Sequence, residues 1–272
     1  MIEALLAGVF GLLIGSFLNV CIYRLPRDLS VVRPRSFCPA CEHPIAWYDN
    51  VPVVSFLLLR GKCRKCGAGI PARYPVVELL TGFYFFCAVY VLGLSGFAIK
   101  HCIFGAILIA LIFADLEERI LPDEFTIGGM IAGFLCAVWV PMDWGIVHLL
   151  LAEVRNPRIV SVAESVFGAM FCAGVLWMVG ALYQKLRHRE GLGFGDVKMV
   201  AMIGAFLGLQ GALLTMIAGS LLGSVVGLAY IWLTRKDMSS YELPFGSFLG
   251  IAALAVTFFG QVVMKWYSHL GA

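Results

Sequence analysis

The sequence predicts an all-α polytopic membrane protein, and its composition and its pattern of apolar runs support that prediction. Hydrophobic residues make up 61% of the chain and charged residues 14%, whereas soluble domains average about 45–50% and 25%. Apolar runs recur along nearly the whole chain, and many approach the roughly 20 residues that cross a bilayer. The net charge of +3 is too small to favour a nucleic-acid partner. These features predict a membrane-embedded chain with one small soluble segment.

About eight transmembrane helices are predicted from the apolar runs. The first run has no basic segment before it and no small-residue cleavage site after it, so we expect a retained helix rather than a cleaved signal peptide. The third and sixth runs are short and would need flanking polar residues to complete a crossing. The runs cover residues 3–23, 76–96, 99–114, 124–141, 163–184, 196–210, 212–233 and 245–264.

The distribution of lysine and arginine predicts which helix ends face the cytoplasm. The segment 24–75 carries nine cations against three acidic residues, and loops rich in cations remain in the cytoplasm. Eight alternating spans place the loops 115–123, 185–195 and 234–244 on that same side. The opposite loop, 142–162, contains an apolar stretch at 146–152 that is compatible with an amphipathic helix lying flat on the membrane.

Four cysteines in the segment 24–75 have the spacing of a zinc site. Cys38 and Cys41 form one Cys-x-x-Cys pair, and Cys63 and Cys66 form another. Two such pairs supply the four thiolates of a tetrahedral structural Zn²⁺, and a segment this short needs a staple of that kind. A set of reduced thiols or a redox pair remains the alternative. The other five cysteines lie in apolar runs and are expected to be small core residues.

Asp115 and Asp196 each lie where a long apolar run meets a polar segment, and Asp196 follows Gly193-Phe194-Gly195. Carboxylates at that depth are costly unless they are paired or hydrated. We interpret them as an aspartyl protease dyad, in which one ionised carboxylate activates water and the other donates a proton. Two adjacent carboxylates share one proton and titrate together. Three alternatives remain open: solvated or capping aspartates at helix ends, a proton relay in a small transporter, and a structural zinc-bearing assembly factor without catalysis.

Two neighbouring charged residues have simpler interpretations. Asp123 follows Pro122 and precedes an apolar run, so it is expected to cap a helix. Lys198 is expected to contact a lipid headgroup, with tuning of the carboxylate pair as the alternative. No histidine accompanies a nucleophile motif, and no His-Glu-x-x-His motif occurs.

The ordered set of motifs resembles the type IV prepilin peptidase family of Gly-x-Gly-Asp membrane aspartyl proteases. Two features depart from the family pattern: Ser247 stands where proline is common, and the loop 142–162 is longer than usual. The motifs are Gly15-Ser-Phe-Leu-Asn-Val-Cys-Ile-Tyr-Arg-Leu-Pro26, the two cysteine pairs, Arg73-Tyr-Pro75, Glu78, Asp115, Leu121-Pro-Asp123, Gly193-x-Gly-Asp196-x-Lys198 and Pro244-Phe-Gly246.

The resemblance implies a multi-pass protein of the bacterial cytoplasmic (inner) membrane with its peptidase site facing the cytoplasm. Asp115 and Asp196 would be the catalytic pair. Its substrates would be type IV prepilins or type II secretion pre-pseudopilins, each of which loses a short basic leader. A basic leader stays in the cytoplasm and an apolar pilin helix lies in the bilayer, so the scissile bond would meet the carboxylates at the interface.

The resemblance also implies methylation of the new N-terminal amine with S-adenosylmethionine. The zinc-bearing segment together with Gly15, Asn19, Glu78 and Gly82 would build the cofactor site. Helix packing is the alternative role for Gly15 and Gly82, and pairing with Arg73 is the alternative for Glu78. We therefore expect a methyltransferase-like region at residues 1–98, including segment 24–75, and a peptidase domain at 99–272.

Overall fold

The computed structural model describes residues 1–142, 145–150, 154, 156–188, 191–234 and 244–270. Helices dominate this part of the chain, which contains isolated β-bridges but no strand. The contacts divide it into two compact units, Met1–Ala114 and Asp115–Ala272. The predicted boundary between residues 98 and 99 stays a prediction. Several charged residues used in the orientation argument or in the loop 142–162 lie outside the described residues: Asp143, Glu153, Arg155, Arg189, Arg235 and Lys236.

In the first unit, α1 (Ile2–Arg24) packs against α3 (Arg73–Leu92) along a row of glycines. A Cβ atom at Gly11 would lie 2.8 Å from the Thr81 carbonyl oxygen, and one at Gly15 would lie 2.7 Å from the Glu78 Cα. Glycine is required at such distances because any side chain would force the backbones apart. A glycine also allows close packing of α4 (Gly96–Glu118), because Gly105 faces the ring of Tyr84.

The polar segment between α1 and α3 consists of short turns and has little regular secondary structure. It contains a 3₁₀ turn at Leu25–Arg27, another at Trp47–Asn50, and the short helix α2 (Val54–Leu58). Arg24, which is 5% exposed, anchors its start by donating from Nη1 to the Ser30 carbonyl oxygen at 2.9 Å. The segment therefore depends on individual side-chain ties rather than on an apolar core of its own.

The second unit contains five helices or parts of helices beyond α4. These are α5 (Asp123–Trp139), α6 (Ile146–Leu150), α7 (Pro157–Arg187), α8 (Phe194–Thr234) and α9 (Phe245–Leu270). Small residues again allow close approach, because a Cβ atom at Gly168 would lie 2.6 Å from the Gly208 carbonyl carbon. The helix α6 confirms a helix in the loop 142–162, although residues 151 and 152 lie outside the described residues.

A break at Gly208 divides α8 into two helical parts. Gly208 has φ 70° and ψ −174°, a backbone conformation that glycine adopts readily. Beside the break lies Glu164 of α7, which is 1% exposed. Its Oε1 accepts the Leu209 N–H at 3.1 Å, and its Oε2 accepts the Val147 N–H at 2.8 Å. One buried carboxylate thus satisfies N–H groups at two helix starts. No motif in the sequence predicted this role for Glu164.

Five helices in the described part of the chain are long and apolar enough to cross a membrane. The all-α membrane class is therefore confirmed, whereas the count of eight crossings is not. The difference has a physical origin: α5 has only 17 residues, the apolar stretch of α9 is short, and α8 counts once although it bends at Gly208. The five spans are Ile2–Arg27, Arg73–Leu92, Gly96–Glu118, Pro157–Arg187 and Phe194–Tyr230.

Candidate active site and metal centre

Asp115 lies near the end of α4, where its side chain is buried with 6% exposed. Ser247, at the start of α9, provides two hydrogen bonds to it. The Ser247 backbone N–H donates to Asp115 Oδ2 at 2.6 Å, and the Ser247 hydroxyl donates to the same oxygen at 2.7 Å. A buried carboxylate needs donors of this kind, because its loss of hydration would otherwise be costly.

Asp196 lies in the first turn of α8 and is half-buried. Its backbone N–H donates to the Gly193 carbonyl oxygen at 3.1 Å, which closes the turn that enters the helix. The carboxylates of Asp196 and Asp115 are close enough for their charges to interact. The structure therefore brings together the two aspartates that the sequence analysis singled out.

Leu121 and two glycines shape the surroundings of these carboxylates. A Cβ atom at Gly195 would lie 3.3 Å from the Leu121 side chain. A Cβ atom at Gly246 would lie 3.1 Å from Leu121 Cδ1 and 3.2 Å from Asp115 Oδ2. The starts of α8 and α9 thus approach the same leucine, and a side chain at position 246 would press on the Asp115 carboxylate. Leu121 and Gly246 belong to the sequence motifs and Ser247 departs from them, but no role for any of the three is predicted from the sequence.

Lys198 forms an ion pair with Asp123 through a hydrogen bond from Nζ to Oδ1. The expectation that Asp123 caps a helix is wrong: α5 starts after Pro122 without a side-chain capping bond, and the Asp123 carboxylate binds Lys198 instead. Lys198 Nζ also lies 5.4 Å from the centre of the Phe194 ring. Contact of Lys198 with a lipid headgroup stays a prediction.

The four predicted zinc ligands converge in the first unit. The Sγ atoms of Cys38, Cys41, Cys63 and Cys66 all lie within 4.8 Å of one another, and those of Cys38 and Cys66 are 3.9 Å apart. Thiolates that bind one tetrahedral Zn²⁺ at about 2.3 Å are separated by about 3.8 Å. The donor set and its spacing therefore fit Zn²⁺.

The same backbone turn occurs at both cysteine pairs. In each turn, the backbone carbonyl oxygen of the first cysteine accepts a hydrogen bond from the backbone N–H of the residue after the second cysteine. That residue has a left-handed backbone conformation. It is Glu42, with φ 54°, in one turn and Gly67, with φ 72°, in the other. The matching bonds are Glu42 N–H to the Cys38 carbonyl oxygen at 2.8 Å and Gly67 N–H to the Cys63 carbonyl oxygen at 2.9 Å.

Local interactions prepare the second turn for a metal and fix it to the rest of the segment. Backbone N–H groups of Cys66 and Lys65 hold the pKa of the Cys63 thiol below its ordinary value, whereas desolvation and the three neighbouring thiols raise the pKa of Cys41 to about 11. Arg64 donates from Nε and Nη2 to the two carboxylate oxygens of Asp49 at 2.8 and 2.7 Å. That pairing keeps the pKa of Asp49 below its ordinary value and ties the turn to Trp47–Asn50.

The four residues expected at the cofactor site fall into two pairs. Gly15 and Gly82 lie in the contact between α1 and α3, and a Cβ atom at Gly82 would be 2.8 Å from Leu12 Cδ2. Glu78 is 6% exposed and accepts the Val53 N–H at 2.7 Å. Asn19 is 1% exposed and donates to the Tyr74 carbonyl oxygen at 3.0 Å, while its own Oδ1 is buried without a hydrogen-bond partner.

A cavity of about 390 Å³ lies in the first unit between α1 and the polar segment. Its wall includes Ser16, which also interacts with the Glu78 carboxylate. Aliphatic residues and prolines form much of the remaining wall and share it with aromatic, cationic and amide residues, so the cavity presents both apolar surface and hydrogen-bond donors. Among them are Phe17, Arg24, Arg35, Trp47 and Asn50.

Comparison with known proteins gives matches along nearly the whole chain. Residues 9–92 match the profile described as the bacterial Peptidase A24 N-terminal domain, and residues 102–228 match the type IV leader peptidase family. No solved structure matches the chain.

Relatives that match over most of their length carry the name prepilin leader peptidase/N-methyltransferase. The protein from Aeromonas hydrophila is 35% identical over 95% of this chain and 91% of its own. That from Neisseria gonorrhoeae is 35% identical over 82% of this chain and 80% of its own. That from Myxococcus xanthus is 39% identical over 84% of this chain and 63% of its own. With its two aspartates in one site and these matches along its length, the chain belongs to the type IV leader peptidase family.

Proposed function

We propose that this protein removes the leader from prepilins or pre-pseudopilins and then methylates the new N-terminal amine. The observation that carries the peptidase half is the charge interaction between the buried Asp115 and the half-buried Asp196. The relatives' shared name supports both activities. The same matches give no support to a transporter that uses the two aspartates as a proton relay.

Hydrolysis by this pair needs one ionised and one protonated carboxylate. The ionised member takes a proton from a water molecule, whose oxygen bonds to the carbonyl carbon of the scissile peptide. The protonated member gives its proton to the carbonyl oxygen, so no charge builds up on the tetrahedral intermediate. Burial of the site assists this exchange, because electrostatic interactions are stronger where water is excluded.

The substrate's own polarity suggests how it reaches the carboxylates. Asp115 lies near the end of one apolar helix and Asp196 at the start of another, so both lie at helix ends. We place these ends at the cytoplasmic face of the bacterial inner membrane, with eight crossings in which the two parts of α8 count separately. A basic leader held in the cytoplasm by the positive-inside bias would then present its cleavage point at that face.

We assign methyl transfer to the region 1–98 and its cavity. S-adenosylmethionine supplies an electrophilic methyl group when bound. Trp47 offers a flat surface for an adenine ring, and Arg35 offers a cation for a carboxylate. The buried Asn19 Oδ1, which has no hydrogen-bond partner, and the Glu78 carboxylate would accept polar hydrogens from the ligand or from the substrate amine.

The four cysteines contribute to this site through Zn²⁺, which we assign a structural role. Cys38, Cys41, Cys63 and Cys66 would hold the ion, and the bonds between Arg64 and Asp49 would carry its effect to the turn that bears Trp47. A fold of so few residues has little apolar core, so the metal would supply much of its stability.

Leader cleavage by the purified protein tests the peptidase assignment. In detergent with a pre-pseudopilin, the wild-type protein is expected to shorten the substrate, whereas Asp115→Asn and Asp196→Asn leave it intact. Asp123→Asn is the matched control, because its carboxylate pairs with Lys198 outside the dyad. Shortening that persists in either dyad variant would overturn the assignment.

A further inference from the structure

The two carboxylates of the candidate dyad have unequal hydrogen bonding. Asp115 Oδ2 accepts both the backbone N–H and the hydroxyl of Ser247, a residue that is only 1% exposed. Across the described ranges, no protein group donates a hydrogen bond to the Asp196 carboxylate. Lys198, the nearest cation along the chain, binds Asp123 instead. The two carboxylates of the site therefore differ in their hydrogen bonding before any substrate binds.

Hydrogen bonds donated to a carboxylate favour its ionised form over its protonated form. The Ser247 backbone N–H can only donate, and bonds from donors to an ionised acceptor are stronger than bonds between neutral groups. Both donors reach Oδ2, which leaves Oδ1 of Asp115 available to a water molecule. The asymmetry thus has a direction: it favours charge on Asp115 and the shared proton on Asp196.

We propose that Ser247 is a positioning residue that makes Asp115 the base of the dyad and leaves the catalytic proton on Asp196. This inference rests on the proposed peptidase function and assigns the two roles within it. Ser247 acts through Asp115 and need not touch the substrate. Its place in the first turn of α9 suits this role, because its N–H is 3.2 Å from the Pro244 carbonyl oxygen and only 2.6 Å from Asp115 Oδ2, so the carboxylate is its closer acceptor.

The assignment fixes the direction of each proton transfer. Asp115 Oδ1 takes a proton from water as the water oxygen bonds to the carbonyl carbon, and Asp196 protonates the carbonyl oxygen. When the intermediate collapses, Asp115 returns its proton to the departing amine nitrogen as the C–N bond breaks. One hydroxyl of the intermediate gives its proton to Asp196. This transfer leaves the product as a carboxylic acid and returns both aspartates to their starting protonation states.

The pH dependence of kcat/KM for leader cleavage distinguishes the two assignments. Within the described residues, the charged groups that act on Asp115 are Asp196 of α8 and Arg119, which follows α4, while the α9 contact, Ser247, carries no charge. At low pH, kcat/KM falls because the dyad binds a second proton; this part of the profile is the acid limb. At high pH, kcat/KM falls because the dyad loses its one proton; this part is the alkaline limb. If Asp115 is ionised in the active form, donors to it stabilise both the active and the fully ionised forms. Removing those donors then moves only the acid limb.

The experiment compares Ser247→Ala, Ser247→Pro and Ser247→Thr with the wild-type protein. We expect the acid limb to move to higher pH by about one unit in Ser247→Ala, and further in Ser247→Pro, which also lacks the N–H. Proline is tolerated in the first turn of a helix. Ser247→Thr keeps both donors and is expected to keep the wild-type profile, while the alkaline limb stays fixed in all three variants.

A matched control separates positioning from general damage. Ser165→Ala removes another fully buried hydroxyl of the same unit, one that donates to the Ala205 carbonyl oxygen. It is expected to lower the melting temperature without moving either limb. If the alkaline limb moves while the acid limb stays fixed, the proton resides on Asp115 and the inference is overturned. The inference is also overturned if neither limb moves in Ser247→Ala. If Ser247→Pro fails to fold, the alanine and threonine variants still decide. Cleavage by Asp115→Asn would instead refute the underlying peptidase assignment.

Discussion

The cysteine cluster and the carboxylate site obtain their geometry in opposite ways. Each cysteine pair lies on one tight turn, whose backbone hydrogen bonds orient two thiols within a few residues. The carboxylate site draws Asp115, Asp196 and Ser247 from three different helices and depends on glycines that let those helices approach. The first site is built by two local turns and has the donor set for Zn²⁺, whereas the second is built by tertiary packing.

This difference predicts that the two sites fail differently. Loss of the metal should release a small polar segment and remove methyl transfer while cleavage continues. Loss of helix packing in the second unit should lower overall stability before it alters the chemistry.

Removal of Zn²⁺ is expected to have the largest effect. Structural zinc in small domains contributes about 10–16 kcal/mol of apparent binding free energy, so Cys63→Ser with Cys66→Ser should unfold segment 36–70 and abolish methyl transfer. Metal content, hydrogen exchange in that segment and methyl transfer to a precleaved substrate measure the three effects. Cys102→Ser, outside the cluster, is the control. Methyl transfer by a zinc-free protein would separate the metal from that activity.

Glu164→Ala is expected to destabilise the second unit by about 3 kcal/mol, because it leaves the N–H groups of Val147 and Leu209 buried without an acceptor. Glu164→Gln keeps one acceptor oxygen and should lose less. Thermal unfolding in detergent measures both changes. Equal melting temperatures for the wild-type and alanine proteins would show that the carboxylate does not hold the break at Gly208.

Alanine substitutions along α1 distinguish packing from cofactor binding. Gly11→Ala and Gly15→Ala are each expected to cost about 1–3 kcal/mol, because the new methyl group would overlap α3. Gly128→Ala, where nothing lies within 4 Å of the new atom, should be neutral. Binding of radiolabelled S-adenosylmethionine adds a second measurement. A loss of affinity confined to Gly15→Ala would favour cofactor contact at that residue, and equal affinity in both variants would favour packing.

The ion pair between Lys198 and Asp123 should matter least. Its carboxylate side chain is 57% exposed, and exposed pairs contribute about 0.2–1 kcal/mol. Lys198→Met should therefore lower the melting temperature slightly at low salt and not at high salt. A large, salt-independent loss of cleavage would instead indicate a direct role for Lys198 in the reaction.

The sequence predicted residues whose function follows from local pattern. The cysteine spacing specified a four-thiol cluster because its ligands lie on two short turns, and the aspartates stood out because carboxylates are rare beside apolar runs. Ser247 and Glu164 could not be assigned, since their partners are more than a dozen positions away and become neighbours only after folding. The misassigned role of Asp123 has the same cause, because Lys198 approaches it from another helix.

The most direct test of the account is mass spectrometry of one reaction that contains precursor, S-adenosylmethionine and enzyme. We predict that Asp196→Asn leaves the precursor at full length, yet methylates a precleaved substrate supplied separately. The double variant Cys63→Ser with Cys66→Ser should release the leader and leave the new N-terminus unmethylated. A shortened product from Asp196→Asn would contradict the account at its centre.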